Sequence, residues 1–233
     1  MKKLSIFFFS LFFISINSQE NIKYQKPSKE ILDLVEFERP PSILYDEKKD
    51  FMLFLFRDNY KSITELSAKE LRLGGLRIDP KTNIGSRVTY YNNVKIRNLK
   101  NQKSEITQVK GLPKNPKLSN ISWSPDQKRI ALTNTTETGV ELWVLELENG
   151  SVTKLTEPNL NSNIGSVINW FSDSENMLVK MISNNRRPLI DTNKIVPNGP
   201  TISTNFGEKA QNRTYQDLLK NKFDEHNFEQ LST

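Results

Sequence analysis

Apolar positions in this chain come mostly in short runs bounded by turn residues, and few stretches carry a long stripe of helical period. The clearest single run is Phe51 to Phe56, six apolar residues in succession after a turn at Asp46 to Asp50, which suits a strand buried on both faces. Between 119 and 156 the pattern predicts an antiparallel meander. A strand starts at Ile121 and Trp123, and others cover Arg129 to Asn134, Val140 to Leu147 and Val152 to Leu155. Each connection has its own chemistry: Pro125 presets φ, Asp126 can accept a hydrogen bond from the backbone two residues on, and Asn149-Gly150 suits a type I′ hairpin.

The aromatic, Ser, Asp and apolar-strand order of this meander recurs at 166–182. Trp123 aligns with Trp170, 47 residues later, and Asp126 with Asp173 at the same offset. A period of that length matches one four-stranded propeller blade of about 40 to 50 residues. A third unit is expected upstream with Asp46 in the role of Asp126, provided a helix over 61–73 interrupts that blade. Such turns also occur in β-sandwiches, and the propeller is the favoured reading.

Elsewhere the pattern is briefer. Ile31, Leu32, Leu34 and Val35 predict a short helix stopped by Pro40-Pro41, part of a lead-in that docks onto a larger body. Ile63, Leu66, Leu71 and Leu73 lie among helix formers, and Gly74-Gly75 reads as the helix end. Val88, Tyr90, Val94, Ile96 and Leu99 mark two or three further strands, with turns at Asp79-Pro80, Asn92-Asn93 and Gly111 to Pro113.

The first residues are of another kind. Lys2 and Lys3 precede an apolar run from Ile6 to Ile14 and then small and polar residues to Gln19, the profile of a secretory signal peptide over about residues 1–18. The run is about half the ~20 residues a spanning helix needs, so no stable membrane anchor is expected. Export to a periplasmic or extracellular location follows.

Charge changes the picture little. Lys plus Arg number 33 against 27 Asp plus Glu, and two of the lysines sit in the signal. The remainder are interspersed, without the basic stripe and interleaved aromatics of a phosphate-tracking surface, so no nucleic-acid partner is expected. With no Cys at all, disulfides, thiol catalysis and cysteine metal sites are excluded.

Candidate chemistry is thin. None of the nine Gly residues stands in the Gly-x-Ser-x-Gly spacing that a strained nucleophile elbow requires. His226 is the one histidine; beside acidic residues and with no activated Ser to serve, it reads as a surface or loop residue. Asp46-Glu47 and Asp224-Glu225 read as solvated carboxylates in turns. Gly74-Gly75 lacks the Gly-Lys-Ser/Thr of a phosphate loop, and one His without Cys makes no metal cluster. Asn120, Asn134, Asn149 and Asn212 stand in Asn-x-Ser/Thr sites, which matter only in a glycosylating host. No catalytic, cofactor-binding or metal residue is assigned, and no cofactor is expected.

The stretch "AKELRLGGLRIDPKTNIGSRVTYYNNVKI" resembles the N-terminal region of prolyl oligopeptidase-family serine peptidases of the glutamyl endopeptidase type. The resemblance continues through "VKGLPKNPKLSNISWSPDQKRIALTNTTETGVELWVLELENG", "VPNGPTIS" and "KAQNRTYQDLLKNKFDEHNFEQLST" in collinear order. It implies a β-propeller joined to a C-terminal α/β-hydrolase domain that carries the Ser-Asp-His triad, the propeller restricting access to a cavity between them. The expectation is therefore an all-β chain: a partial β-propeller of the first few four-stranded antiparallel blades, with short helical insertions. Its parts are a signal peptide at 1–18, a lead-in at 19–41 and an incomplete propeller at 42–233. The implied partners are peptide substrates of the parent enzyme and the missing C-terminal α/β-hydrolase domain. Hydrolytic activity of this chain is left open by the absent elbow and triad. The alternative is a free-standing propeller-like module that binds a peptide or polymer.

Overall fold

The computed structural model describes residues 25–101, 103–196 and 217–233, together with positions 199, 204, 206 and 207; the expected signal peptide lies outside them. The chain forms two units, Met1–Glu38 and Arg39–Thr233. In the first, helix α1 (Lys29–Val35) starts after Ser28, whose carbonyl accepts the N–H groups of Ile31 and Leu32, and closes ahead of the proline pair as expected. No residue of this seven-residue helix is buried.

The second unit is built from antiparallel sheets. Strands β1 (Ser42–Tyr45), β2 (Phe51–Phe56), β6 (Asn93–Asn98) and β7 (Thr107–Gln108) form the first, in the order β1-β2-β6-β7. Between β2 and β6 runs an insertion with helix α2 (Ile63–Leu66) and a three-stranded sheet of β3 (Leu71–Leu73), β4 (Leu76–Asp79) and β5 (Ile84–Gly85). The second large sheet is the predicted meander: β8 (Leu118–Trp123), β9 (Arg129–Thr135), β10 (Val140–Glu146) and β11 (Ser151–Lys154), each paired with its sequence neighbour. A third is the two-stranded sheet of β12 (Ile168–Trp170) and β13 (Met177–Val179). Helix α3 (Lys222–Ser232) follows. The all-β, partial-propeller class read from the sequence holds.

The three sheets stack because their strands alternate. Ile130 and Leu132 of β9 and Leu145 of β10 join Leu53, Leu55, Val94 and Ile96 of the first sheet in one core. The intervening Ala131, with Val140, Leu142 and Val144, joins Val167, Ile168, Met177 and Val179 in a second. The middle sheet is thus covered on both faces, and its alternation with period two decides which side chain goes to which core.

The three hairpins opening these sheets share one geometry. In each, the first turn residue donates its N–H to the carbonyl five residues on: Asp46 to Phe51 (3.4 Å), Ser124 to Arg129 (2.9 Å) and Phe171 to Asn176 (3.0 Å). The residue three places on bonds back and has positive φ: Lys49 (57°), Gln127 (61°) and Ser174 (61°). Asp46 therefore corresponds to Ser124, not to Asp126. The reason is chemical: Asp46 Oδ1 takes the N–H of Phe51 across the hairpin (2.7 Å), as Ser124 Oγ takes that of Arg129 (3.0 Å). Asp126 and Asp173 instead accept from residues further along their own turns.

Other expectations change. The helix expected over 61–73 is only four residues long, and Leu71–Leu73 is a strand. Gly74 (φ 57°) and Gly75 (φ 83°) do not end a helix; both central residues of the two-residue β3–β4 loop need positive φ, the type I′ requirement. Asn149-Gly150 is not such a turn, since only Gly150 has positive φ (64°), in a longer loop closed by Gly150 N–H to Glu146 O at 3.0 Å. Asn93 opens β6, and Val88 and Tyr90 lie outside any strand. His226 lies within α3 and not in a loop, and Leu231 of that helix is fully buried against Leu73 and Ile78.

Candidate binding cleft

The insertion and the middle sheet enclose a cleft of about 1100 Å³. Its floor is a face of the meander near Asn134, Glu141, Trp143 and Lys154; its walls come from α2, the β3–β5 sheet and the 113–117 loop. The α2 wall is held by a capping box, Ser62 Oγ accepting the N–H of Glu65 (3.2 Å) and the Glu65 carboxylate accepting that of Ser62 (3.0 Å). Glu65 also pairs with Lys117 at 3.0 Å, tying the insertion to the start of the meander. The Ser62 backbone N–H first, and then Lys117, hold the Glu65 carboxyl below its usual range.

On the floor, one Glu141 oxygen accepts from Asn134 Nδ2 (3.0 Å) and Trp143 Nε1 (2.9 Å), and the other pairs with Lys154 (2.9 Å). Burial pushes this carboxyl upward, but the hydrogen bonds from Asn134, Lys154 and Trp143 prevail and leave it below the usual carboxylate range. On the other wall Glu70 accepts from Ser86 Oγ and pairs with Arg77 (2.9 Å) and Arg72 (2.9 Å). The Ser86 hydroxyl, against an opposing effect of burial, and then the two guanidiniums bring Glu70 to about 2. Arg77 continues the network to Asp217 at 3.0 Å.

These carboxylates are spent on structure. A carboxylate at about 2 is a poor general base for Ser86, because proton transfer works best with a pKa near the working pH. His226 is elsewhere, its Nε2 3.0 Å from the Pro188 carbonyl oxygen. Among the described residues the serine–carboxylate pairs Ser62–Glu65, Ser86–Glu70 and Ser124–Asp126 hold a helix start, a wall and a turn, and no three His, Asp or Glu side chains group as for a metal ion. Asp46 is buried at its hairpin, Asp224 accepts the N–H of Lys220, and neither belongs to the cleft. The cleft escaped sequence reasoning because the pairs that close it, Glu65 with Lys117 and Glu141 with Lys154, join separated positions; the Ser62-x-x-Glu65 capping box was a local signal for its wall.

The chain is 28% identical over 222 residues to a probable chloroplastic glutamyl endopeptidase of Oryza sativa subsp. japonica, covering 90% of this chain and 23% of that protein. A probable chloroplastic glutamyl endopeptidase of Arabidopsis thaliana is 30% identical over 217 residues, covering 86% and 22%. The chain thus spans less than a quarter of the length of these relatives. No family model matches. Similar solved structures include Pyrococcus horikoshii acylaminoacyl peptidase, at 18% identity and TM-score 0.33 over 67% of this chain and 21% of that one. An acylaminoacyl peptidase in complex with Z-Gly-Gly-Phe-chloromethyl ketone matches at 16% and 0.33, over 69% and 22%.

Proposed function

We propose, for a chain that is a relative of the glutamyl endopeptidases of the prolyl oligopeptidase family, that it supplies the N-terminal propeller portion of an exported serine peptidase. In that role it is structural and restricts which peptides reach a catalytic centre carried by an α/β-hydrolase domain. The observation that carries this reading is the similarity over 86 to 90% of the chain, set against a cleft in which Glu65, Glu70 and Glu141 are engaged in holding the fold. No Gly-x-Ser-x-Gly occurs in the 233 residues. Without nucleophile, base and oxyanion hole, these residues are expected to hydrolyse nothing.

The test is to incubate the purified 233-residue chain with a fluorophosphonate serine probe and with glutamyl and prolyl peptide substrates. No labelling and no cleavage are expected. Stoichiometric labelling of one serine would overturn the reading. The second reading, a free-standing peptide- or polymer-binding module, is favoured by the polar cleft; saturable peptide binding by the isolated chain, lost when the exposed lining residues Lys114 and Glu137 are both changed to Ala with stability unchanged, would put it first.

A further inference from the structure

Arg77 and Arg129 show what a guanidinium needs when it leaves water. Arg77 pairs with Glu70 (2.9 Å) and Asp217 (3.0 Å). Arg129 pairs with Glu146 (2.7 Å) and donates to the Ser174 carbonyl (3.0 Å). Arg186 is in a different position. Its Nε and Nη2 are both buried, and neither has an acceptor among the described residues. Arg57 and Arg97 leave only Nε in that condition. Burial alone lowers the Arg186 pKa from its ordinary value, with no carboxylate acting in the opposite direction.

The two orphaned nitrogens belong together. Nε–H and one Nη2–H lie on the same edge of the planar guanidinium and point in parallel, the fork that meets a carboxylate or phosphate with two oxygens at once. The backbone beneath the fork is fixed on both sides. The N–H of Arg186 donates to the Ser183 carbonyl (3.1 Å), that of Asn185 to Ser183 Oγ (3.2 Å), and that of Arg187 to Gln230 Oε1 of α3 (2.7 Å). Ile190 N–H continues the attachment to Asn227 Oδ1 of the same helix (2.7 Å). Glu229 is engaged by Arg187 at 3.4 Å. A water molecule on the fork would supply a single oxygen and leave the charge uncompensated, and a desolvated charge without a partner is costly.

We infer that the Nε–Nη2 edge of Arg186 is a structural oxyanion site, which takes one carboxylate or phosphate group through two parallel hydrogen bonds and locks the 183–190 segment onto α3. The edge is covered, so the anion enters by local opening of that segment, which has neither helix nor strand. Arg186 is not among the residues that line the cleft. The inference needs no peptidase chemistry and stands or falls apart from the proposed function.

The test is thermal unfolding of the purified chain in sodium phosphate, sodium acetate and sodium chloride at equal ionic strength, beside Arg186→Met and Arg186→Lys variants. With chloride alone Arg186→Met is expected to melt above the native chain, because it removes a buried charge that has no partner. Phosphate or acetate is expected to raise the native Tm saturably, by about 2 to 4 °C beyond any rise in Arg186→Met. Arg186→Lys keeps the charge but not the fork, and should respond much less. A response to phosphate alone assigns the site to phosphate groups, one to acetate alone to carboxylates, and equal responses to the chemistry they share. No saturable rise over chloride would overturn the site, as would an equal rise in Arg186→Met, which places the anion elsewhere. An Arg186→Met chain that melts well below the native one in chloride would show the guanidinium already satisfied, and would overturn it too.

Discussion

Ser174 Oγ accepts the backbone N–H of Asp126 at 2.9 Å, so the tip of one hairpin is fastened to the tip of the hairpin before it. Arg129 reinforces the junction by donating Nη1 to the Ser174 carbonyl (3.0 Å) while its Nε pairs with Glu146 (2.7 Å). Apolar packing holds the sheet faces together without direction, whereas these bonds set how one sheet is rotated against the next. Registration of the stack therefore rests on a few polar groups at one end of the hairpins.

Ser174→Ala is expected to destabilise the chain by about 1 kcal/mol, because the Asp126 N–H loses a partner in a partly buried position. Ser174→Asn keeps a side-chain acceptor and suits the positive φ of 61°, so it should retain most of the stability. Urea unfolding of the three proteins checks the order. An alanine variant as stable as the native chain would show that the bond sets nothing.

Glu70 makes stability depend on pH in a definite window. Its carboxyl lies at about 2 in the fold against an ordinary 4.5, with Ser86 the first cause. A depressed carboxyl contributes stability that is complete above 4.5 and is lost as pH falls from there through about 2. Glu70→Gln should lower stability at neutral pH and flatten the stability profile across that window. Ser86→Ala should raise the Glu70 pKa, read by carboxyl NMR titration; a value that does not move would mean that the guanidiniums alone hold the charge.

How much of this was legible beforehand differs between regions for physical reasons. The meander from β8 to β11 was readable because its strands alternate and each turn has diagnostic residues such as Pro125. Residues 61–73 misled because Ile63, Leu66, Leu71 and Leu73 satisfy a helical spacing, while a three-residue strand is too short to declare a period of two. The pairing of that strand is decided by Gly74 and Gly75, which serve a helix end or a I′ loop equally well on paper. The cleft was out of reach: Glu65 meets Lys117, and Arg77 meets Asp217, through the fold alone. His226 lacked a visible partner because its acceptor is a backbone carbonyl, that of Pro188, which a sequence does not advertise.

Export is a proposal with a simple readout. The apolar run from Ile6 to Ile14 is followed by mostly small and polar residues that a signal peptidase can accommodate, so the mature chain should begin near Gln19 or Glu20. Intact-mass measurement of the protein from its native host decides the point. A species retaining Met1 and recovered from the cytosol would overturn export and leave the sheets' architecture untouched.

Trp123 and Trp170 end equivalent strands, and each lies half-buried against a different core, the first with Leu118 and Ile130, the second with Val167 and Ile168. Trp170 also donates Nε1 to the Ser122 carbonyl oxygen at 3.2 Å, a further polar tie between the middle sheet and β12–β13. Removing a buried indole costs about 3 to 5 kcal/mol, and partial exposure places both positions at the lower end, about 3 kcal/mol for either Trp→Ala change. Trp170→Phe keeps most of the ring and loses only the donor, for a cost of about 1 kcal/mol. Denaturant titration followed by far-ultraviolet circular dichroism, which does not depend on the tryptophans as probes, measures all three. If Trp170→Phe proved as costly as Trp170→Ala, the indole N–H rather than the ring would be the main tie between these sheets.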